Sequence, residues 1–175
     1  MTKPSPTLFV CVADHTACIK INGRANFTSS VYFKTLVHEL RNGGFKEFIL
    51  DLTECVTMDS TFLGVLAGFV LKQSDGRPPQ QALRMQLVNP NPRVLELLEN
   101  LGVFHLFEIC HQAPLAAADY QAPPPEAAPS REEISRTCLE AHQTLMQANP
   151  ANIPKFKEVT QFLAEDLKKL KGGQG

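Results

Sequence analysis

The chain has 175 residues, 43% hydrophobic and 20% charged, which is enough to bury a substantial core in one domain with an appendage. Its formal net charge of -1 gives no cationic field for a nucleic acid or an acidic membrane surface. The five cysteines, Cys11, Cys18, Cys55, Cys110 and Cys138, form no C-x-x-C pair and mostly sit in apolar runs, so they read as reduced structural thiols with no zinc site and no cofactor. The N-terminal stretch "MTKPSPTLFV" has no apolar run behind a basic head, and no segment approaches the ~20 apolar residues that span a bilayer. A cytoplasmic protein is expected.

In chain order, Leu8–Val12 and Ala17–Ile21 are β-rich runs around an Asp14-His15 turn signal, with Asn22-Gly23 stopping the second, which predicts a hairpin. "SSVYFKTLVHELRNGG" repeats apolar residues at helical spacing from a cap at Ser29 or Ser30 to the glycines Gly43-Gly44. "KEFILDL" is too short for a helix and is expected to be a strand at the centre of the sheet, buried on both faces. Ser60–Lys72 reads as the next helix, "SDGRPPQQ" as a loop, and Leu83–Asn89 as a strand. In "NPNPRVLELLENLGV", Asn91 can cap, Pro92 suits the first helical position, Val94, Leu97, Leu98 and Leu101 share a face, and Gly102 ends the helix. "HLFEIC" supplies a last strand. The order β-β-α-β-α-β-α-β predicts an α/β domain with a mixed sheet and packed helices over residues 1–112.

Residues 113–129, "APLAAADYQAPPPEAAP", are rich in alanine and proline and read as an extended linker. Beyond it, Ser130-x-x-Glu133 is a capping box that opens a helix to about Ala148, striped by Ile134, Cys138, Ala141 and Leu145. Pro154–Leu170 carries Phe156, Val159, Leu163, Asp166/Leu167 and Leu170 near heptad spacing, so residues 130–171 form a helical pair. Two amphipathic helices cannot make a core alone; docking on the first domain is the first expectation and homodimerisation through these helices the second.

Most signatures of catalysis are missing. His38-Glu39 lacks a second histidine at zinc-binding spacing, and His15, His105, His111 and His142 are scattered, each more readily a surface or half-buried residue than a ligand. No phosphate-cradling glycine loop is present. Ser60 lacks the G-x-S-x-G turn of a nucleophile and has no histidine near it in sequence, so a base for it would have to come from a distant part of the chain. A non-enzymatic protein is expected.

The corner "LDLTECVTMDSTFLGVLAGF" draws the most attention. Asp51 ends the central strand and Asp59-Ser60 opens a helix. Asp and Ser are favoured caps because their oxygens accept unpaired first-turn N–H groups, and that alone explains most such pairs. The same N–H groups and the helix dipole would also receive a phosphate on Ser60, and the added charge beside Asp59 would expel a partner that had approached the bare hydroxyl. On a helical wheel Leu63, Ala67 and Val70 form one stripe, Phe62, Val65, Leu66 and Phe69 an adjacent one, and Gly64 and Gly68 lie together elsewhere. One stripe suffices to cover a sheet. The other is either apolar surface for a partner, with Phe62, Val65 and Phe69 as its contacts, or a face covered by the C-terminal helices.

A strand ending in Asp or Asn, a turn, and then Asp-Ser-Ser/Thr-Gly-Leu-Gly before an apolar helix is the signature of the STAS domain, found in anti-sigma factor antagonists and sulfate-transporter tails. "LDLTECVTMDSTFLGVLAG" resembles it at matching spacing, and the resemblance extends over about Leu8 to Cys110. It implies a STAS-like fold and a bacterial partner-switching regulator of transcription, an anti-sigma factor antagonist. Its serine, here Ser60, would be phosphorylated by an anti-sigma kinase and dephosphorylated by a serine phosphatase, with Asp51, Asp59 and Thr61 flanking the site. The alternative is a constitutive STAS scaffold, or an accessory of lipid or small-ligand transport, in which Ser60 is only a cap. Phe62 stands where the family usually has Gly or Ala, a departure that bears on partner fit. The linker and helical pair lie outside the family pattern.

Overall fold

The computed structural model describes residues 8–71, 83–112, 120–123 and 127–172; the expected loop "SDGRPPQQ" and residues 113–119 and 124–126 of the expected linker lie outside them. Strand β1 (Leu8–Ala13) turns at Asp14-His15 and pairs antiparallel with β2 (Thr16–Ile21). Asp14 takes φ 54°, a left-handed position that Asp tolerates well. A short β3 (Gly23–Ala25) leads into α1 (Phe27–Asn42), then β4 (Glu47–Asp51), β5 (Cys55–Met58), α2 (Ser60–Leu71), β6 (Arg84–Val88), α3 (Pro92–Asn100) and β7 (Glu108–Cys110). Two helices follow, α4 (Arg131–Ala148) and α5 (Ile153–Gly172).

The main sheet runs β1-β2-β4-β6-β7, antiparallel only between β1 and β2, and β4 is its central strand. Ala17, Ile19 and Ile21 of β2, Phe48 and Leu50 of β4, and Met85 and Leu87 of β6 alternate along their strands and enter one core with Phe33 and Val37 of α1 and Phe62, Leu63 and Leu66 of α2. Ile49, between the two inward residues of β4, is only half-buried, so the expectation of a central strand dry on both faces is corrected to one dry face. A separate two-stranded sheet joins β3 and β5, both too short to announce themselves by alternation. It carries the chain to Asp59, whose N–H donates to the Ala25 carbonyl at 2.9 Å.

Two local expectations change. Helix α1 is capped by Asn26, not by Ser29 or Ser30; Ser29 is the third residue of a reciprocal capping box with Asn26. Within residues 113–129, Gln121 forms an antiparallel bridge with Val10, at 2.8 and 2.9 Å, so the chain there is tied by its backbone to the sheet edge. The edge strand β1 offers the unpaired backbone groups that invite this.

The C-terminal hairpin docks on the first domain, along α2. Ala141 and Leu145 of α4 belong to the same core cluster as the sheet, and Lys34 of α1 pairs with Glu140 at 2.8 Å. At the hairpin bend Asn152 is fully buried and donates from Nδ2 to the carbonyls of Leu101 and Leu145, at 2.9 and 2.8 Å. Such a buried amide fixes one seating of the hairpin, because any shift would strand its donors. Helix α5 packs on α4 and leaves Val159 and Phe162 exposed, so Val159 is not covered by the docking.

Candidate functional site: the Ser60 corner and its helical cover

Asp59 caps α2. Its Oδ1 accepts the Phe62 N–H at 2.8 Å and its carbonyl accepts the Leu63 N–H at 3.1 Å. Burial pushes the Asp59 carboxyl up from its ordinary value, partly offset by first-turn N–H groups and by the nearby His142. Ser60 is thereby the first residue of α2, half-buried, with its hydroxyl aimed across to α4.

There the hydroxyl meets His142. Ser60 Oγ lies 2.9 Å from Nε2, while Nδ1 lies 2.7 Å from the Cys138 carbonyl. A carbonyl only accepts, so Nδ1 carries the proton; in the neutral ring Nε2 then holds a lone pair and Ser60 donates to it. Burial lowers the His142 pKa below its ordinary value, outweighing the opposing influence of the Cys138 carbonyl and of Asp59, so the neutral form prevails at pH 7. The imidazole also packs against the Phe156 ring of α5, centroids 4.7 Å apart, and is only 6% exposed. Thr61, buried, donates to Cys138 Sγ at 3.6 Å, and burial raises the Cys138 thiol, which stays protonated.

The structure thus brings Asp59, Ser60, Thr61, Cys138 and His142 together. Asp51 stands apart: it is fully buried, its Oδ1 accepts from the Thr53 backbone N–H and hydroxyl at 3.1 and 2.5 Å, and its charge bears on Cys18 and Tyr120 instead. His142 was not legible as a partner of Ser60, 82 residues away. The available signal was an imidazole beside Ala141 and one turn after Cys138, inside the apolar stripe of α4.

Phe62, Val65 and Phe69, expected as partner contacts on an exposed face, are buried with the hairpin docked. Phe62 is wholly enclosed and packs on Phe33 at 5.0 Å; Phe69 meets Phe33 at 6.2 Å and His38 at 5.2 Å. Val65 is 8% exposed. The reason lies in α2 itself, buried without interruption from Thr61 to Phe69: a helix apolar on all sides needs cover from two layers. Gly64 lets the second layer approach, since a Cβ there would lie 2.5 Å from the Ala141 carbonyl oxygen. A cavity at the junction of α1, α2 and α4 begins one turn beyond Ser60, and neither Ser60 nor His142 lines it. The serine–imidazole pair is therefore packed against itself, not opened toward that cavity.

The STAS family model matches residues 10–115, more than half of the chain, from within β1 through β7. The chain belongs to the STAS domain family. Among solved structures it is similar to the anti-sigma factor antagonist SpoIIAA in its unphosphorylated form, at 17% identity and a TM-score of 0.50, over 59% of this chain and 87% of that one. An anti-sigma factor antagonist from Mycobacterium paratuberculosis is similar at 15% identity and TM-score 0.50, over 62% and 89% of the two chains. At such identities the likeness is one of fold. No curated protein matches the chain. Among the described residues no helix is long and apolar enough to cross a membrane. The STAS match ends before α4, so the hairpin that covers Ser60 is additional to the family unit.

Proposed function

We propose that this STAS protein is a non-enzymatic, partner-switching antagonist of a bacterial anti-sigma factor, acting in the cytoplasm and controlled by phosphorylation of Ser60. The observation that carries the reading is the position of Ser60: a hydroxyl at the first residue of α2, beside the capping Asp59, on a helix whose N-terminal amides and dipole favour an added phosphate. In the switch, the γ-phosphoryl of a nucleoside triphosphate passes to Ser60 Oγ, the hydroxyl proton leaves to the kinase's base and the nucleoside diphosphate departs. A serine phosphatase returns the hydroxyl by hydrolysis, with inorganic phosphate as the second product. Asp59 and Thr61 shape the site at close range, whereas Asp51 supports the strand end through Thr53.

One observation favours a second reading. The Ser60–His142 bond gives the hydroxyl a structural task, which suits a constitutive scaffold in which Ser60 is only a tie between α2 and α4. Phosphopeptide mapping of the protein isolated from its own cells separates the two. The switch predicts phosphate on Ser60 in a fraction of molecules that changes with growth condition; phosphate on other residues only, or on none in any condition, leaves the scaffold.

A further inference from the structure

Ser60 is already occupied by the chain that carries it. Its hydroxyl proton is spent on His142, and the imidazole is held from behind by the Cys138 carbonyl and from the side by Phe156. The seating is specific along its length: backbone contact at Gly64 and Ala141, the Lys34–Glu140 pair, and the buried Asn152 at the bend. Gly102 reinforces it, since a Cβ there would fall 2.1 Å from Asn149 Nδ2. Removing the hairpin would bare Gly64, Val65, Gly68 and Phe69, the face of α2 that meets α4 and the cavity beside it.

A negative group on Ser60 finds opposite conditions on its two sides. The N-terminus of α2 welcomes it. Helix α4 presents an imidazole lone pair 2.9 Å away, where the hydroxyl now donates. A charged oxygen has no proton to give Nε2, the ring can keep the contact only by taking up a proton, which its burial opposes, and a phosphoryl group needs the space that the ring fills.

We propose that docking of the α4–α5 hairpin on α2 and a negative charge on Ser60 exclude one another, so that the hairpin is a tethered lid competing with kinase and partner for the α2 face. This rests on the reading of Ser60 as phosphoacceptor. By thermodynamic reciprocity, a charge that lifts the lid implies that a lifted lid eases charging. The unmodified docked form is then closed as well as dephosphorylated, and a partner must displace α4 before it reaches Val65 and Phe69.

The test compares the full-length chain with Ser60→Asp and Ser60→Asn, which share shape and both lose the hydroxyl but differ in charge. Amide hydrogen exchange across residues 131–148 should be faster in Ser60→Asp than in Ser60→Asn by on the order of tenfold, a typical size for coupling between sites, with β4 protection unchanged. Equal exchange in the two variants overturns the proposal, as does an equal rise in β4, which would mean global loosening. If Ser60→Asp does not fold, Ser60→Glu and Ser60→Gln provide the same comparison. The outcome is independent of phosphopeptide mapping: unphosphorylated Ser60 in cells with a charge-sensitive lid refutes the switch alone, and phosphorylated Ser60 with an insensitive lid refutes the lid alone.

Discussion

Two corners of this molecule are built from the same parts and end differently. At one, β5 leads to Asp59 and α2; at the other, β6 leads to Asn91 and α3. Each cap accepts an N–H three residues on, from Phe62 at 2.8 Å and from Val94 at 3.0 Å. Helix α3 buries Val94 and Leu98 and leaves its polar side to water, whereas α2 is buried all round. The difference lies in the second face: glutamates and an arginine solvate α3, while α2 offers glycines and aromatics that only another helix can cover. A capped serine on the first kind of helix would face water. On the second kind it comes under whatever covers the helix.

Emptying the centre of α2 should produce the largest effect. Phe62→Ala is expected to cost about 3–5 kcal/mol, because the ring is enclosed against Phe33 and its neighbours close only partly over the gap. Leu95→Ala, at a half-buried site on α3, should cost well under half as much. Urea unfolding midpoints decide it. Similar losses in the two variants would mean that α2 is no more enclosed than α3, and the contrast between the corners would fall.

A second pair of substitutions sharpens the contrast within α2. Gly64→Ala places a methyl 2.5 Å from the Ala141 carbonyl oxygen, so α4 must shift, at a cost of about 1–3 kcal/mol for overpacking. Gly68→Ala meets only Thr144, at the ordinary contact distances of 3.8 and 3.9 Å, and gains about 0.5–1 kcal/mol of helix propensity. The two changes should move thermal stability in opposite directions. A gain in both would show that α4 does not touch α2 at Gly64.

What could be read from sequence follows from the range of the forces involved. The β1–β2 hairpin, the capped α3 and the Ser130–Glu133 capping box are local patterns, and the structure carries all three. The central place of "KEFILDL" was legible because an apolar run between helices has few other homes. Strands β3 and β5 were not, since three and four residues give alternation no length to show itself. At the site, the motif located Asp59 and Ser60, but the wheel of α2 left two covers open, and choosing a partner put Phe62, Val65 and Phe69 on the surface. Choosing between them needed the geometry of a helix about 80 residues further on. His142 is the sharpest case: its role is set by a hydrogen bond across 82 positions, and no short-range pattern encodes that.

The smallest expected effect is a pH dependence that belongs to the covered corner alone. His142 has its folded pKa depressed below the ordinary 6.5, chiefly by burial, so the docked state binds fewer protons than the undocked one. Its contribution is fully present above 6.5 and is lost as pH falls from there through the folded value. Asp59 works the other way: its folded pKa is raised above 3.8, so its contribution is fully present below 3.8 and is lost as pH rises through its folded value. Of the two, only His142 loses stability on acidification, so a decline just below pH 6.5 reports on His142. There the stability of wild type should decline with acidification at no more than about 1.4 kcal/mol per pH unit, the slope for one proton. His142→Gln removes the titration while keeping an amide near Ser60; its overall stability will differ, so the slope between pH 7 and 5.5 is the quantity to compare. Urea midpoints collected at half-unit steps should give a steeper line for wild type than for His142→Gln. Parallel lines would mean that the imidazole is not held neutral between α4 and α2, and the Ser60 corner would then be as open to water as the one at Asn91.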